Sequence, residues 1–96
     1  FANEIYQICE KVGADYDKVV EYATLDERLG KSHWMVPGHD GDFGFGGHCF
    51  PKDLSALIYL SEDLMTTNNV LRAVKDTNDE VRKNRDWEKM KGRAVS

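Results

Sequence analysis

From Lys31 to Phe50 no apolar period is sustained, and Pro37, Gly38, Gly41, Gly44, Gly46 and Gly47 interrupt the segment at short intervals. Glycine and proline at that density break helices and strands alike, so the segment reads as one long loop. A loop of this length in a small domain is either functional or disordered. Trp34, Phe43, Phe45 and Phe50 favour a packed, functional one.

Both flanks carry helical periodicity. Ile5, Ile8, Cys9 and Val12 share one helical face, and Gly13 follows as a C-terminal cap. Asp15 can cap a second helix with Val19, Val20 and Ala23 as its buried stripe. Thr24-Leu25-Asp26-Glu27 has capping-box spacing for a brief third turn ending at Gly30. Beyond the loop, Pro51 opens a helix that turns Leu54, Leu57, Ile58, Leu64 and Met65 toward a core. Asn68 or Asn69 starts another, with Val70, Leu71, Ala73, Val74, Thr77, Val81 and Trp87 on its buried side. No alternating strand pattern occurs, so the expected class is all-α: a helical domain with a long glycine-rich loop. Its core is marginal for an isolated domain, and pairing an apolar helix face with a second copy, a homodimer, is the expected remedy.

The chain has 96 residues, 41% hydrophobic and 31% charged, which fits one small globular domain. Its cysteines, Cys9 and Cys49, form neither a disulfide scaffold nor a CxxC pair, which points to a reducing cytoplasm. No apolar run approaches a membrane span. A net charge of −4 argues against a nucleic-acid partner, and the basic cluster from Arg82 to Arg93, broken by Asp86 and Glu88, reads as a solvated helix face. The chain starts at Phe1 inside a helical pattern and ends just after a break at Gly92. The expectation is a piece of a longer protein, residues 1–91 being one helical domain and 92–96 the start of the next.

The chemistry concentrates in Gly44-Phe45-Gly46-Gly47-His48-Cys49-Phe50-Pro51-Lys52-Asp53. Here one cysteine stands between a glycine-rich turn and a helix start, with Lys52 and Asp53 in the first turn. The positive end of a helix and a nearby cation both favour the thiolate, which is the attacking species. A free cysteine is ordinarily a small buried apolar residue, and Cys9, on an apolar helix face, reads that way. The neighbours of Cys49 favour a nucleophile. Asp53 is either a carboxylate stabilising the helix dipole or a base beside the thiol; Lys52 is a solvated cation or a holder of anionic phosphate. Gly44-x-Gly46-Gly47 lacks a preceding strand and a third glycine at Cys49, so it is a backbone cradle for a polar ligand such as a sugar rather than a dinucleotide fingerprint. His39, Asp40, Asp42, His48 and Cys49 have no standard metal spacing, and no metal is expected. His33 and His39 read as polar loop residues, and Arg28 as a surface ion-pair partner.

The ten-residue segment resembles the nucleophile motif of the UDP-glucose and GDP-mannose dehydrogenases. The resemblance extends to Phe1-Ala2-Asn3-Glu4, to Cys9 through Asp15, to Asp26-Glu27-Arg28-Leu29-Gly30 and to the helix from Ala73-Val74 to Asn78. It implies an NAD-dependent, two-step oxidation of a nucleotide-sugar alcohol to a uronic acid. Cys49 matches the cysteine that attacks the aldehyde, forming a thiohemiacetal and then a thioester. Asp53 matches the aspartate assisting water and protons, and Lys52 lies in the stretch that approaches the cofactor. Trp34, Phe45 and Gly46 fall in the segment that holds the sugar, and Arg28 matches an arginine reaching substrate bound mainly by the partner subunit. Phe50-Pro51-Lys52-Asp53 favours the branch that converts UDP-glucose to UDP-glucuronate, with GDP-mannose or UDP-N-acetylmannosamine as alternatives. A non-catalytic helical dimerisation module is the reading for the chain by itself. The family's lysine and asparagine and its NAD-binding domain would precede Phe1, and the loop His39-Asp40-Gly41-Asp42-Phe43 is longer than in many members.

Overall fold

The helices follow the apolar stripes. A computed structural model describes residues 1–47, 49–85 and 88. It contains α1 (Ala2–Val12), α2 (Tyr16–Ala23), α3 (Cys49–Asp63) and α4 (Asn69–Val81). There is no strand among the described residues, and the chain is all-α. His48, Trp87 and the expected boundary at 92–96 lie outside the described residues.

α1 ends where glycine permits it. Gly13 takes a left-handed φ of 76°, and its N–H and that of Ala14 both return to the Cys9 carbonyl. Asp15 then opens α2, its carboxylate accepting the Asp17 N–H at 3.0 Å and the Lys18 N–H at 3.4 Å. After Thr24 the chain makes a single hydrogen-bonded turn, the Leu29 N–H on the Asp26 carbonyl at 3.0 Å, and no helix. The Thr24 hydroxyl donates backward to the Val20 carbonyl at 2.8 Å, closing α2 instead of capping a new helix. Asp26 becomes the local acceptor, taking the Arg28 N–H at 2.9 Å.

α3 begins at Cys49, two residues before the expected Pro51. Proline in its third position sacrifices no hydrogen bond, because the first N–H groups of any helix lack intrahelical acceptors. Between α3 and α4 the buried Ser61 organises the turn. Its hydroxyl donates to the Ile58 carbonyl at 2.7 Å and accepts from Asn68 Nδ2 at 3.0 Å. Arg72 pairs with Glu62 across the same turn.

The main helix contacts are α1 with α2 and α3 with α4. Cys9 and Tyr16 are the buried apolar residues of the first pair, and Tyr6 packs edge-on against Tyr16 at 5.4 Å. The Tyr16 hydroxyl donates to the Trp34 carbonyl, tying the loop to α2; burial, and then the nearby Asp17, pushes its pKa up. Leu57, Leu64, Met65, Val70 and Val74 are not in a core, contrary to the sequence expectation. Met65 is 92% exposed and Val70 76%, and Ile8 and Val12 of α1 also face outward. The reason is architectural: a pair of helices buries only the stripe between them, and two such pairs leave their outer apolar faces uncovered.

Candidate active site

The loop before Cys49 is held by side chains from α1 and from the C-terminal end of α4. A turn from Gly38 to Asp42 closes on itself, with Gly38 N–H on the Asp42 carbonyl and Gly41 N–H on the Gly38 carbonyl, both at 2.9 Å. Asn3 Oδ1 accepts the Gly44 N–H at 3.0 Å. Asn78 grips the next peptide from both sides, accepting the Phe45 N–H at 2.7 Å and donating to its carbonyl at 2.9 Å.

Arg82 secures the upstream part. Its side chain is 1% exposed and reaches Asp40 at 2.7 Å, the Asn84 carbonyl at 2.6 Å and the Phe43 carbonyl at 3.4 Å. Asp42, 3.6 Å from the same guanidinium, accepts the backbone N–H groups of Asn84, Lys83 and Phe43. Arg82 is therefore no part of a solvated helix face. A buried guanidinium with carboxylate and carbonyl partners is tolerable where an unpaired one is not.

These contacts pull both carboxyls below their ordinary pKa. The hydrogen bond from Arg82 is the main cause at Asp40, and the Asn84 N–H the main cause at Asp42. A lowered folded-state pKa stabilises the fold fully above the unfolded value and is lost as pH falls through the folded one. The anchor should hold above about pH 4 and loosen below it. Thermal midpoints measured from pH 6 to 2.5 should drop on the acid side for the natural sequence, and drop less for the Asp40→Asn, Asp42→Asn double variant; parallel curves would exclude the anchor as the cause.

Downstream of the anchor, three of the expected site residues lie on one helix. Cys49, Lys52 and Asp53 occupy the first turns of α3, all exposed, with Asp53 one helical turn from the thiol. The Phe45 ring packs edge-on against Phe50 at 5.7 Å, next in sequence to Cys49, and Gly46 follows it toward the thiol. The His33 ring, on a residue with a positive φ of 68°, lies tilted at 5.8 Å from the Phe50 ring. It also lines a cleft of about 440 Å3 with Phe1, Ala2, Gly30, Ser32 and Trp34. The Trp34 indole N–H donates to the Gly30 carbonyl at 2.7 Å, which fixes the ring along that cleft.

Arg28 is not drawn into this group. Its guanidinium forks onto Asp26 at 2.7 and 3.1 Å on a separate turn, which lowers the Asp26 pKa. Among the described residues no group of three His, Cys, Asp or Glu side chains could hold a metal ion. No helix among them is long and apolar enough to cross a membrane.

The sequence pattern places Arg82 on a solvated face and gives Asn3 and Asn78 no structural role. A signal existed for two of them: Asn78 and Arg82 continue the Leu71-Val74 stripe at helical spacing, and polar residues on an apolar stripe call for a buried partner.

An all-helical domain presenting a cysteine at a helix start, behind an anchored glycine-rich loop, is the class that fold and geometry define. Residues 1–80 match the family model described as the UDP-glucose/GDP-mannose dehydrogenase family, central domain, and the chain belongs to that family. It is 40% identical over 82 residues to UDP-glucose 6-dehydrogenase TuaD of Bacillus subtilis, covering 85% of this chain and 17% of that protein. It is 39% identical over 79 residues to UDP-glucose 6-dehydrogenase of Rhizobium meliloti (82% and 17%). For the Rickettsia typhi enzyme of the same name the identity is 37% over 78 residues (81% and 17%). The chain thus spans about 17% of the length of these relatives. No solved structure gives a significant match.

Proposed function

We propose that this chain is the cysteine-bearing helical domain of an NAD-dependent UDP-glucose 6-dehydrogenase of the cytoplasm, converting UDP-glucose to UDP-glucuronate. One observation carries the reading: an exposed Cys49 thiol at the head of α3, with Asp53 one turn away, in a chain 40% identical to a UDP-glucose 6-dehydrogenase.

Cys49 Sγ adds to the carbonyl carbon of the aldehyde made by the first oxidation. A C–S bond forms as the C=O π bond opens, and the oxygen takes a proton, giving a thiohemiacetal. Loss of hydride from that carbon and of the hydroxyl proton re-forms the C=O and leaves a thioester. Water, oriented by Asp53, adds to the thioester carbon; the C–S bond breaks and the thiol is restored with the carboxylate. Bound NAD supplies the hydride acceptor for both oxidations. A dinucleotide is ordinarily held by a strand-glycine-helix unit, and the described residues contain no strand. This chain's own contribution to that cofactor is the exposed Lys52 ammonium, which suits a phosphate. Trp34, Phe45 and Gly46 hold the sugar, and Arg28, free of the Cys49 group, reaches substrate across a subunit boundary.

The uncovered apolar faces of the helices support a homodimer, which sedimentation of the whole protein should detect; a monomer at high concentration would remove it. The function is tested by supplying the whole protein with UDP-glucose and NAD. Two NADH per UDP-glucuronate are expected. Turnover of GDP-mannose or UDP-N-acetylmannosamine in its place would reassign the substrate, and turnover of none of them would end the dehydrogenase reading.

A further inference from the structure

One buried side chain grips both polar groups of a single residue in the loop. Asn78, 5% exposed, pairs its Oδ1 with the Phe45 N–H and its Nδ2 with the Phe45 carbonyl, as a neighbouring strand would. There is no slack around this amide. The preceding Gly44 has a φ of 65°, and a Cβ there would lie 2.1 Å from Asn78 Oδ1. No other residue type satisfies the arrangement: aspartate turns an oxygen toward the Phe45 carbonyl, serine is too short for two bonds, and glutamine brings an extra methylene. Both ends of the gripped peptide lead somewhere definite. Upstream, Asn3 holds Gly44 and Arg82 holds Phe43. Downstream, the Phe45 ring meets Phe50, and residues 46–47 run toward Cys49.

We propose that Asn78 is a positioning residue for the chemistry at Cys49. It fixes the backbone of residues 45–47 on which the nucleotide sugar lies, and thereby sets where the reacting carbon stands relative to the thiol. Both hydrogen bonds of the Asn78 amide go to the Phe45 backbone, and it acts through that residue. The inference rests on the dehydrogenase reading above, and its test is arranged so that the two fail separately.

The test compares the whole natural enzyme with Asn78→Ala and Asn78→Asp, folding being checked by circular dichroism. For Asn78→Ala, KM for UDP-glucose should rise about tenfold and kcat/KM fall about 100-fold, the scale of a misplaced reactant. KM for NAD should stay within about twofold, because the grip lies on the sugar loop. Alkylation of Cys49 by iodoacetamide should shift about fivefold toward the rate of an unstructured cysteine peptide. Asn78→Asp keeps the acceptor and the shape but loses the donor, so it should fall between; it carries the test if the alanine variant does not fold. A residue that merely stabilised the fold would lower the amount of active enzyme and leave both KM values and the Cys49 rate per folded molecule unchanged. That result overturns the proposal. Should the natural enzyme not oxidise UDP-glucose, the functional reading falls, and the Cys49 rate alone decides on Asn78: a shift sustains its positioning role, no shift ends it.

Discussion

Gly44→Ala should accelerate hydrogen exchange at the Phe45 amide about 100-fold, equivalent to roughly 3 kcal/mol of local opening free energy. Two effects combine. A left-handed φ of 65° is disfavoured for alanine by about 1–2 kcal/mol. The new Cβ would also sit 2.1 Å from Asn78 Oδ1 and 3.2 Å from both Asn78 Cγ and Val81 Cγ2. Asn78 must then withdraw, leaving buried polar groups unpaired at about 1–3 kcal/mol. Gly41→Ala is the control. Gly41 has a φ of 83° but nothing within 4 Å of its Cβ position, so only the backbone effect applies. Equal losses in the two variants would show that the loop yields without Asn78 and would remove the grip from the account.

What could be read in advance follows the range of the interaction. Gly13 and Asp15 act on backbone groups within five residues, and their chemistry is written in the local sequence. Thr24 is equally local but ambiguous, because a hydroxyl that can cap forward can also bond backward; the choice falls to the turn held by Asp26. The stripes on α3 and α4 correctly announced helices. They did not announce burial, since periodicity states that a face is apolar and says nothing of what covers it. The loop anchor was the least legible part. Asn3, Asn78 and Arg82 meet residues 33 to 42 positions away, and a side-chain amide bonded to backbone requires no particular residue at the other end. Of the site itself, Cys49, Lys52, Asp53 and Phe45 could be placed by their neighbours in sequence. What holds them together came only from the tertiary structure.

On the function proposed above, Cys49→Ser in the whole protein should leave the fold intact and reduce formation of UDP-glucuronate by a factor on the order of 10⁴, the lower end of the losses seen when one member of a catalytic unit is removed. Cys49 is exposed, so its sulfur contributes little packing, and the change falls on reactivity alone. A serine hydroxyl at neutral pH supplies far less anion than a thiol, and the aldehyde can then no longer be captured at a useful rate. Cys9→Ser inverts the pattern. Cys9 is 4% exposed against α2, and a hydroxyl there must find a partner or destabilise the fold by about 1–3 kcal/mol, while turnover per folded molecule stays unchanged. The two cysteines thus separate stability from chemistry within one molecule, with product formation and thermal midpoint measured on both variants. Acid formation at the natural rate by Cys49→Ser would strip Cys49 of its role, and the search for a nucleophile would have to leave the head of α3.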